Sequence, residues 1–187
     1  MMPTEYKQPL GVSALTEETK LLGQLLKRRA GEFGAQSFLD VGCGCGYLGI
    51  EIAKDGLKVT CSDIDEFALE ATEENAKDHK VELTLIHSDL LADIEGQFDM
   101  IAFNAPQVEL RRAKSLKPVR RVLGRIFGRL PIISTIGRKL RKKQAWSHRM
   151  KLNSKLLAQA KPHLTQNGRL FLVLIKAEVQ DLRKQFS

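Results

Sequence analysis

The stretch that decides the fold is Phe38-Leu39-Asp40-Val41-Gly42-Cys43-Gly44-Cys45-Gly46-Tyr47-Leu48-Gly49. It begins as an apolar run, continues with three glycines at alternate positions, and passes into the amphipathic run of residues 50–54. This order predicts a buried β-strand, a tight loop and an α-helix. Glycines permit sharp backbone angles and let the main chain approach a ligand closely. The first N–H groups of the following helix are then free to bind a polar group of a ligand in front of the helix.

The same alternation of strands and helices continues along most of the chain. It predicts a parallel β-sheet with helices on both faces and right-handed crossovers. The first helix begins at Thr16 as N-cap and ends at Gly31 or Gly34. Further helices are expected at residues 46–54, 66–78, 152–160 and 177–186, strands at 37–41, 57–62, 81–87, 98–103 and 169–175, and a loop at 162–168.

Polar side chains stand at or near the ends of four predicted strands. Because parallel strands end at one edge of the sheet, and ligands bind beyond that edge, we expect these side chains to converge on one site. Four independent placements on one edge are stronger support for a binding site than the glycines alone. The residues are Asp40, Asp63, Asp89 and Asn104.

The composition is that of an ordinary globular protein. The 187 residues, 43% hydrophobic and 28% charged, suffice for one domain with its own core. No apolar run approaches the roughly 20 residues that span a bilayer, and the first 20 residues lack a signal-peptide pattern. Cys43, Cys45 and Cys61 form neither a disulfide framework nor a spacing typical of metal ligands. We therefore expect a cytoplasmic protein without a metal and without an integral membrane segment.

Charge is distributed unevenly along the chain. Residues 1–109 hold 9 Lys and Arg and 20 Asp and Glu, whereas residues 110–177 hold 19 Lys and Arg and no acid. Within the single domain, residues 1–34 are interpreted as a lead-in and helix, and residues 111–151, with 15 Lys and Arg, as a basic insertion. Apolar residues from Val119 to Leu130 recur in the insertion at helical spacing. This asymmetry predicts a polyanionic partner, with RNA or a ribonucleoprotein first and an anionic membrane or amphiphilic substrate second. A lid over a small acidic substrate is a third interpretation.

The motif D-x-G-x-G-x-G at Asp40–Gly46 resembles motif I of the class I S-adenosylmethionine (SAM) methyltransferases. With the strand ends, the resemblance covers roughly residues 35–110 and implies a Rossmann-like sheet with SAM as the cofactor. A complete domain of that type adds an antiparallel sixth and seventh strand, which are missing from the predicted elements. The spacing G-x-G-x-G argues against a nicotinamide-dependent reductase, whose cofactor would place phosphates at this helix start.

The polar residues suit the chemical groups of SAM. Asp63 lies 23 residues after Asp40, close to the offset at which an acid receives ribose hydroxyls. Ile64 and Leu90 are candidates to flank the adenine ring, and Asp89 to accept from its exocyclic amine. The methionine half, with its ammonium and carboxylate, is assigned to the loop with Asp40 behind it. The loop residues assigned to cofactor binding are Gly42, Cys43, Gly44 and Gly46.

The residues after the fourth strand favour transfer to nitrogen. The segment Asn104-Ala105-Pro106-Gln107 resembles the N-P-P-Y motif of methyltransferases that modify glutamine amides or exocyclic amines, and residues 15–22 resemble their P-E-T-x-L-L segment. The resemblance implies that Asn104, helped by the carbonyl of Ala105, orients the target nitrogen, with Pro106 completing the catalytic motif. Asn104 is also counted among the cofactor-binding residues. Ala105 and Gln107 depart from the family pattern, and Gln107 replaces the aromatic residue that would stack on a flat substrate.

The sequence therefore predicts a SAM-dependent methyltransferase that acts on an amide or amine of a protein, RNA or ribonucleoprotein. One alternative is a methyltransferase of a small or amphiphilic metabolite, with the basic insertion as lid or membrane contact. The other is a non-catalytic module of the same fold that binds RNA. An oxygen or carbon target stays open.

Overall fold

The computed structural model describes residues 5–8, 15–105, 148–174 and 179. Each helix and strand below follows the predicted alternation. In chain order the elements are helix α1 (Glu17–Phe33), strand β1 (Ser37–Val41), α2 (Tyr47–Ala53), β2 (Lys58–Asp63), α3 (Glu66–His79), β3 (Thr84–His87), β4 (Phe98–Phe103), the helical residues 148–160 that we call α4, a 3-10 helix (Lys161–His163) and β5 (Leu164–Leu172).

The five strands form one sheet in the order β3-β2-β1-β4-β5, and every neighbouring pair is parallel. The chain adds β2 and β3 on one side of β1 and then β4 and β5 on the other, so the order reverses between β1 and β4. Because crossovers between parallel strands are right-handed as a rule, this order implies that α2 and α3 lie on one face of the sheet and residues 153–160 on the other. The predicted α/β fold is thereby confirmed.

Helix α1 has the ends that its sequence predicts. Thr16 is the N-cap, and its hydroxyl accepts a hydrogen bond from the Thr19 N–H at 3.3 Å. Gly34 closes the helix in the left-handed conformation, with a φ of 61°. Leu26 and Ala30 on the inner face are buried in the core that includes Phe38 of β1 and side chains of α2 and β2.

Strand β2 is shifted by one residue from its predicted bounds, and two other strands differ by more. Strand β3 begins at Thr84, although residues 81–87 were expected to be extended. Strand β5 begins at Leu164, inside the predicted loop 162–168, because Leu164 pairs with Phe98 before the register shifts and Arg169 pairs with Met100. The four residues 165–168 oppose one residue of β4, which explains a turn-like sequence within a strand.

The chain divides into two compact units, residues 1–106 with 153–187 and residues 107–152. The described part of the second unit is the helical stretch 148–152. The single-domain interpretation with a basic insertion at 111–151 stays a prediction, and most of that segment lies outside the described residues. The helix predicted at 177–186 also lies outside them, except for residue 179, which is helical.

Asp99 of β4 joins three segments at the amino ends of the strands. Its Oδ2 accepts from the N–H of Gln36 at 2.9 Å, from the N–H of Ser37 at 3.1 Å and from the Ser37 hydroxyl at 3.0 Å. Its Oδ1 accepts from the Thr165 hydroxyl at 3.0 Å in the irregular part of β5. The Gln36 N–H, followed by the Thr165 and Ser37 donors, holds the pKa of Asp99 below its usual range. The carboxylate therefore stabilises the start of β1 and of β5 together.

We predict that Asp99→Asn lowers the free energy of unfolding at pH 7 by about 1–2 kcal/mol, a modest value because the carboxylate is partly exposed. A carboxyl group whose pKa is depressed by folding stabilises the protein above its unfolded pKa and loses that effect as the pH falls. Urea unfolding should therefore show the difference from wild type shrinking between pH 5 and pH 3. Glu95→Gln, at an exposed carboxylate, is the control. A loss of unfolding free energy in Asp99→Asn that is the same at all pH values would contradict this explanation.

Candidate functional site

The carboxyl ends of the strands bring the predicted polar residues to one edge of the sheet. Asp63 is the last residue of β2, and it pairs in register with His87 at the end of β3. Asp40 precedes the last residue of β1, where Val41 pairs with Phe103, the last residue of β4. The loop after β1 and Asn104 after β4 thus flank the point where the strand order reverses, which is where ligands bind in open α/β sheets.

The glycine loop, residues 42–46, turns sharply because three of its residues have positive φ. At Gly46 the φ is 79°, and an added Cβ would lie 2.6 Å from Thr72 Cγ2, so only glycine fits. Gly49, in the first turn of α2, has no room either, because an added Cβ would lie 2.3 Å from Cys61 Sγ. The loop and the helix start are therefore packed directly against β2 and α3.

The Asp63 carboxylate anchors the glycine loop from the neighbouring strand. Its Oδ2 accepts from the Gly44 N–H at 3.0 Å, and its Oδ1 accepts from the Asp65 N–H at 3.0 Å. Asp65 itself is the N-cap of α3, and its side chain accepts from the Phe67 N–H at 3.1 Å. A carboxylate oxygen can accept more than one hydrogen bond, so both Asp63 oxygens retain capacity for donors from a ligand.

Asp40 is a buried carboxyl group with unusual titration. Its side chain lies against the start of α2, where Oδ2 accepts from the Gly49 N–H at 3.1 Å. Burial raises the pKa of Asp40 to about 7, the Gly49 N–H opposes the rise, and the charge of Asp63 adds to it. A buried group that titrates near neutrality is typical of functional sites, and a cation placed beside Asp40 would favour its ionised form.

Two side chains of α3, which the sequence analysis missed, hold the carbonyl groups of the glycine loop. The Thr72 hydroxyl donates to the Gly44 carbonyl at 3.1 Å, and the Asn75 Nδ2 donates to the Cys45 carbonyl at 2.9 Å. Both side chains are fully buried. A signal was present, because Thr72 and Asn75 interrupt the stripe of alanines that α3 presents to the core.

The N-terminal segment at residues 5–8 reaches the same loop through Asn75. The Lys7 N–H donates to Asn75 Oδ1 at 2.8 Å, and Asn75 Nδ2 also donates to the Lys7 carbonyl at 3.0 Å. The Tyr6 hydroxyl donates to Glu51 of α2 at 2.7 Å, and its ring stacks on His79 with centroids 4.3 Å apart. One buried amide therefore bonds both the N-terminal segment and the glycine loop.

The residues predicted to line an adenine ring lie in different environments. Ile64 is 64% exposed, which leaves an apolar surface beside Asp63. Leu90 is buried, and its φ of 58° is rare for a residue other than glycine; the Ser88 hydroxyl donates to its carbonyl at 3.1 Å. Asp89 pairs with Lys155 of α4 through an Nζ–Oδ2 distance of 2.6 Å. After Thr72 and Asn75, Lys155 is a third residue whose role the sequence did not indicate.

Asn104 lies directly after β4 and contacts helix α1. Its Nδ2 donates to the Thr19 hydroxyl at 3.3 Å, across 85 residues of sequence. The side chain is partly buried, and Ala105 behind it is fully buried. Pro106 and Gln107 lie outside the described residues. Asn104 therefore lies at the carboxyl edge of the sheet, next to a partner, Thr19, that only the structure reveals.

Other chemical features of the described residues are few. The three cysteines are buried and reduced. In the stretches that the structure describes, no group of three or more His, Cys, Asp or Glu side chains is arranged to hold a metal ion. Over the same residues, no helix combines the length and the apolar character needed to cross a membrane.

Comparison with known proteins places these residues in a family. The family model described as "Methyltransferase small domain" matches residues 13–124, more than half of the chain. The release factor glutamine methyltransferase of Borreliella burgdorferi is 30% identical over 158 residues, 80% of this chain and 48% of that protein. The ribosomal RNA small subunit methyltransferase C of Chromohalobacter salexigens is 32% identical over 120 residues, 64% of this chain and 36% of that protein. The chain spans half or less of the length of these relatives.

A solved structure supports the fold. The ribosomal protein L11 methylase of Lactobacillus delbrueckii subsp. bulgaricus aligns with a TM-score of 0.64 and 21% identity, over 96% of this chain and 72% of that one. The family model covers the glycine loop, the three aspartates at or near strand ends and Asn104, so it includes the site assembled above. The chain therefore belongs to the methyltransferase small domain family, in agreement with the class I methyltransferase fold that its sequence predicts.

Proposed function

We propose that this chain is a SAM-dependent methyltransferase that acts on an amide or amine nitrogen of a protein, RNA or ribonucleoprotein. The observation that carries the proposal is the placement of the glycine loop and Asn104 on the two sides of the point where strand order reverses. A cofactor held by the loop and an acceptor held by Asn104 would meet there. When bound, SAM supplies an electrophilic methyl group on a sulfonium.

The residues at this edge fit the polar groups of SAM. The Asp63 carboxylate, fixed by the Gly44 and Asp65 N–H groups, would accept from the two ribose hydroxyls. The exposed side chain of Ile64 would cover one face of the adenine. Asp40, buried behind the loop, would face the ammonium of the methionine half, whose positive charge offsets the burial of an ionised carboxylate. Asp89, with one oxygen bonded to Lys155, retains a second for the adenine amine.

The catalytic contribution of the chain is orientation. Asn104 Oδ1 would accept a hydrogen bond from the target N–H and turn the nitrogen lone pair toward the methyl group. The carbonyl of Ala105 is proposed as a second acceptor, and Pro106 as the residue that shapes the turn. Correct placement of two reactants lowers a barrier without a strong base, and small displacements reduce the rate about 100-fold.

The substrate class follows from the relatives and from charge. One relative is named for release factor glutamine and another for ribosomal RNA, and both substrates belong to translation. The 19 Lys and Arg of residues 110–177 provide the cationic character that a phosphate-rich partner requires. An RNA or ribonucleoprotein partner in the cytoplasm is accordingly proposed before an anionic membrane or an amphiphilic substrate.

Non-catalytic RNA binding is the second candidate, because Ala105 and Gln107 depart from the N-P-P-Y pattern. It predicts binding of RNA with no transfer of methyl groups. A methyltransferase of a small metabolite would instead label material that survives both nuclease and protease.

The proposal is tested by transfer of labelled methyl groups from SAM to a cell extract that is afterwards treated with nuclease or with protease. We expect the labelled methyl groups to appear in material that either nuclease or protease digests. Asn104→Ala should reduce transfer at least about 100-fold while S-adenosylhomocysteine binding stays within about twofold. Asp63→Ala should weaken that binding about 100-fold, since two charge-assisted hydrogen bonds are lost.

Glu82→Ala is the control for Asp63→Ala, because it removes an exposed carboxylate that precedes β3, at the opposite end of the sheet from the glycine loop. Isothermal titration measures binding, and thermal denaturation checks that each variant folds. Wild-type protein that binds RNA but neither SAM nor S-adenosylhomocysteine would favour the non-catalytic module. Full transfer by Asn104→Ala would remove the assigned role of that residue.

Asp40 gives the site a pH dependence with a defined sign. Its folded pKa of about 7 lies above the unfolded value, so the stability that the neutral carboxyl group contributes is lost as the pH rises from about 4 through 7. The gain in free energy of unfolding from Asp40→Asn should therefore be about 1–3 kcal/mol larger at pH 8 than at pH 5. Urea unfolding at the two pH values measures the difference.

The same group should couple cofactor binding to pH. If Asp40 must be ionised opposite an ammonium, wild-type affinity for S-adenosylhomocysteine rises from pH 6 to pH 8. Asp40→Asn should bind more weakly at pH 8 and lose that rise. An identical pH profile in both proteins would show that Asp40 does not contact the ammonium.

A further inference from the structure

We infer that Thr19 is a positioning residue that fixes the side-chain amide of Asn104, so that its oxygen faces the acceptor. The inference rests on the proposed function, because it concerns the residue assigned there to the target nitrogen. The observation behind it is the hydrogen bond from Asn104 Nδ2 to the Thr19 hydroxyl at 3.3 Å, which joins the first turn of α1 to the end of β4.

The amide of Asn104 could face Thr19 with either its nitrogen or its oxygen, since a hydroxyl accepts and donates. The direction therefore depends on where the Thr19 proton goes. The Thr19 and Thr16 hydroxyl oxygens lie 3.2 Å apart, and either could donate to the other. Which of the two hydroxyl groups donates depends on the other hydrogen-bond partner of Thr16.

That partner is Glu18. The pKa of Glu18 is lowered by its own backbone N–H and then by the Thr16 hydroxyl, so this side chain is ionised at neutral pH. An ionised carboxylate only accepts hydrogen bonds, and therefore Thr16 donates its proton to Glu18. The Thr16 oxygen is then left to accept from the Thr19 hydroxyl, as it already accepts from the Thr19 N–H at 3.3 Å.

The polarity of the chain follows step by step. The Thr19 hydroxyl donates its proton to Thr16. Toward Asn104 the Thr19 oxygen therefore offers only lone pairs, and it can accept a hydrogen bond only from the NH₂ group of the amide. With its nitrogen held by α1, Asn104 directs Oδ1 to the other side of the amide. The oxygen that the mechanism needs is thus left for the acceptor N–H, and the wrong orientation of the amide is disfavoured.

Thr19→Val tests this role because valine keeps the shape and removes the hydroxyl. The N-cap bond from the backbone N–H of residue 19 to Thr16 is retained in the variant. Thr19→Ser restores a hydroxyl and is the rescue variant. Thr84→Val makes the same chemical change at an exposed position of β3 and is the control for stability.

The first readout needs no acceptor. The side-chain NH₂ resonances of Asn104, identified as the pair lost in Asn104→Asp, are followed by nitrogen-15 NMR with S-adenosylhomocysteine present. Thr19→Val should increase their exchange with water about five- to tenfold, while Thr19→Ser and Thr84→Val stay near wild type. Unchanged exchange in Thr19→Val would overturn the inference.

The second readout is methyl transfer to the labelled fraction of the extract. Thr19→Val should lower kcat about five- to tenfold, with KM for SAM and the affinity for S-adenosylhomocysteine within about twofold of wild type, and Thr19→Ser should recover most of the loss. If Asn104→Ala abolishes transfer and Thr19→Val leaves kcat unchanged, the positioning role fails and the proposed function stands. If Asn104→Ala has no effect on transfer, the role of Asn104 in the proposed function fails. The hydrogen bond between Asn104 and Thr19 is then tested by the NMR comparison alone.

Discussion

The constraint on which the site depends is the demand for hydrogen bonds in the glycine loop. Cys43, Cys45 and Gly46 are buried there, so peptide groups of the loop must find partners inside the protein. Asp63 takes the Gly44 N–H, while Thr72 and Asn75 take two successive carbonyls. The loop is thus fixed from both flanks, by β2 and by α3, before any ligand arrives. Such preorganisation spares a bound cofactor the entropy of ordering the loop itself.

The parallel sheet explains why these contacts occur at one place. Each strand delivers the residue after its carboxyl end to the same edge, and the reversal of order between β1 and β4 opens a crevice there. Asp40 and Asp63 come from adjacent strands, and Asn104 comes from the strand on the other side. Their separation along the sequence is therefore irrelevant to their proximity in the fold. The family assignment is consistent with this geometry, because the matched region contains all of these strand ends.

Much of this arrangement could be predicted from the sequence, because it depends on local patterns. Hydrophobic periodicity identified the helices and strands, and the strand-end rule placed Asp63 and Asn104 correctly. The predicted start of β5 was wrong, because Asn167 and Gly168 are typical of a loop and nothing in the sequence indicates that Leu164, before them, already pairs with Phe98 of β4. Side-chain partners could not be predicted. The pair of Thr19 with Asn104 and that of Lys155 with Asp89 join residues 85 and 66 positions apart, so they depend on the packing of whole elements.

Asn75 has a consequence for how the domain tolerates changes at its beginning. Its amide bonds the Lys7 backbone in both directions and bonds the Cys45 carbonyl as well. The Tyr6 ring packs against Tyr47 at the start of α2 and against His79 at the end of α3. The opening residues thus act as a brace across two helices rather than as a dispensable tail. Protein engineers who shorten this end, or fuse an affinity tag close to Tyr6, alter the support of the glycine loop while leaving every residue of that loop intact.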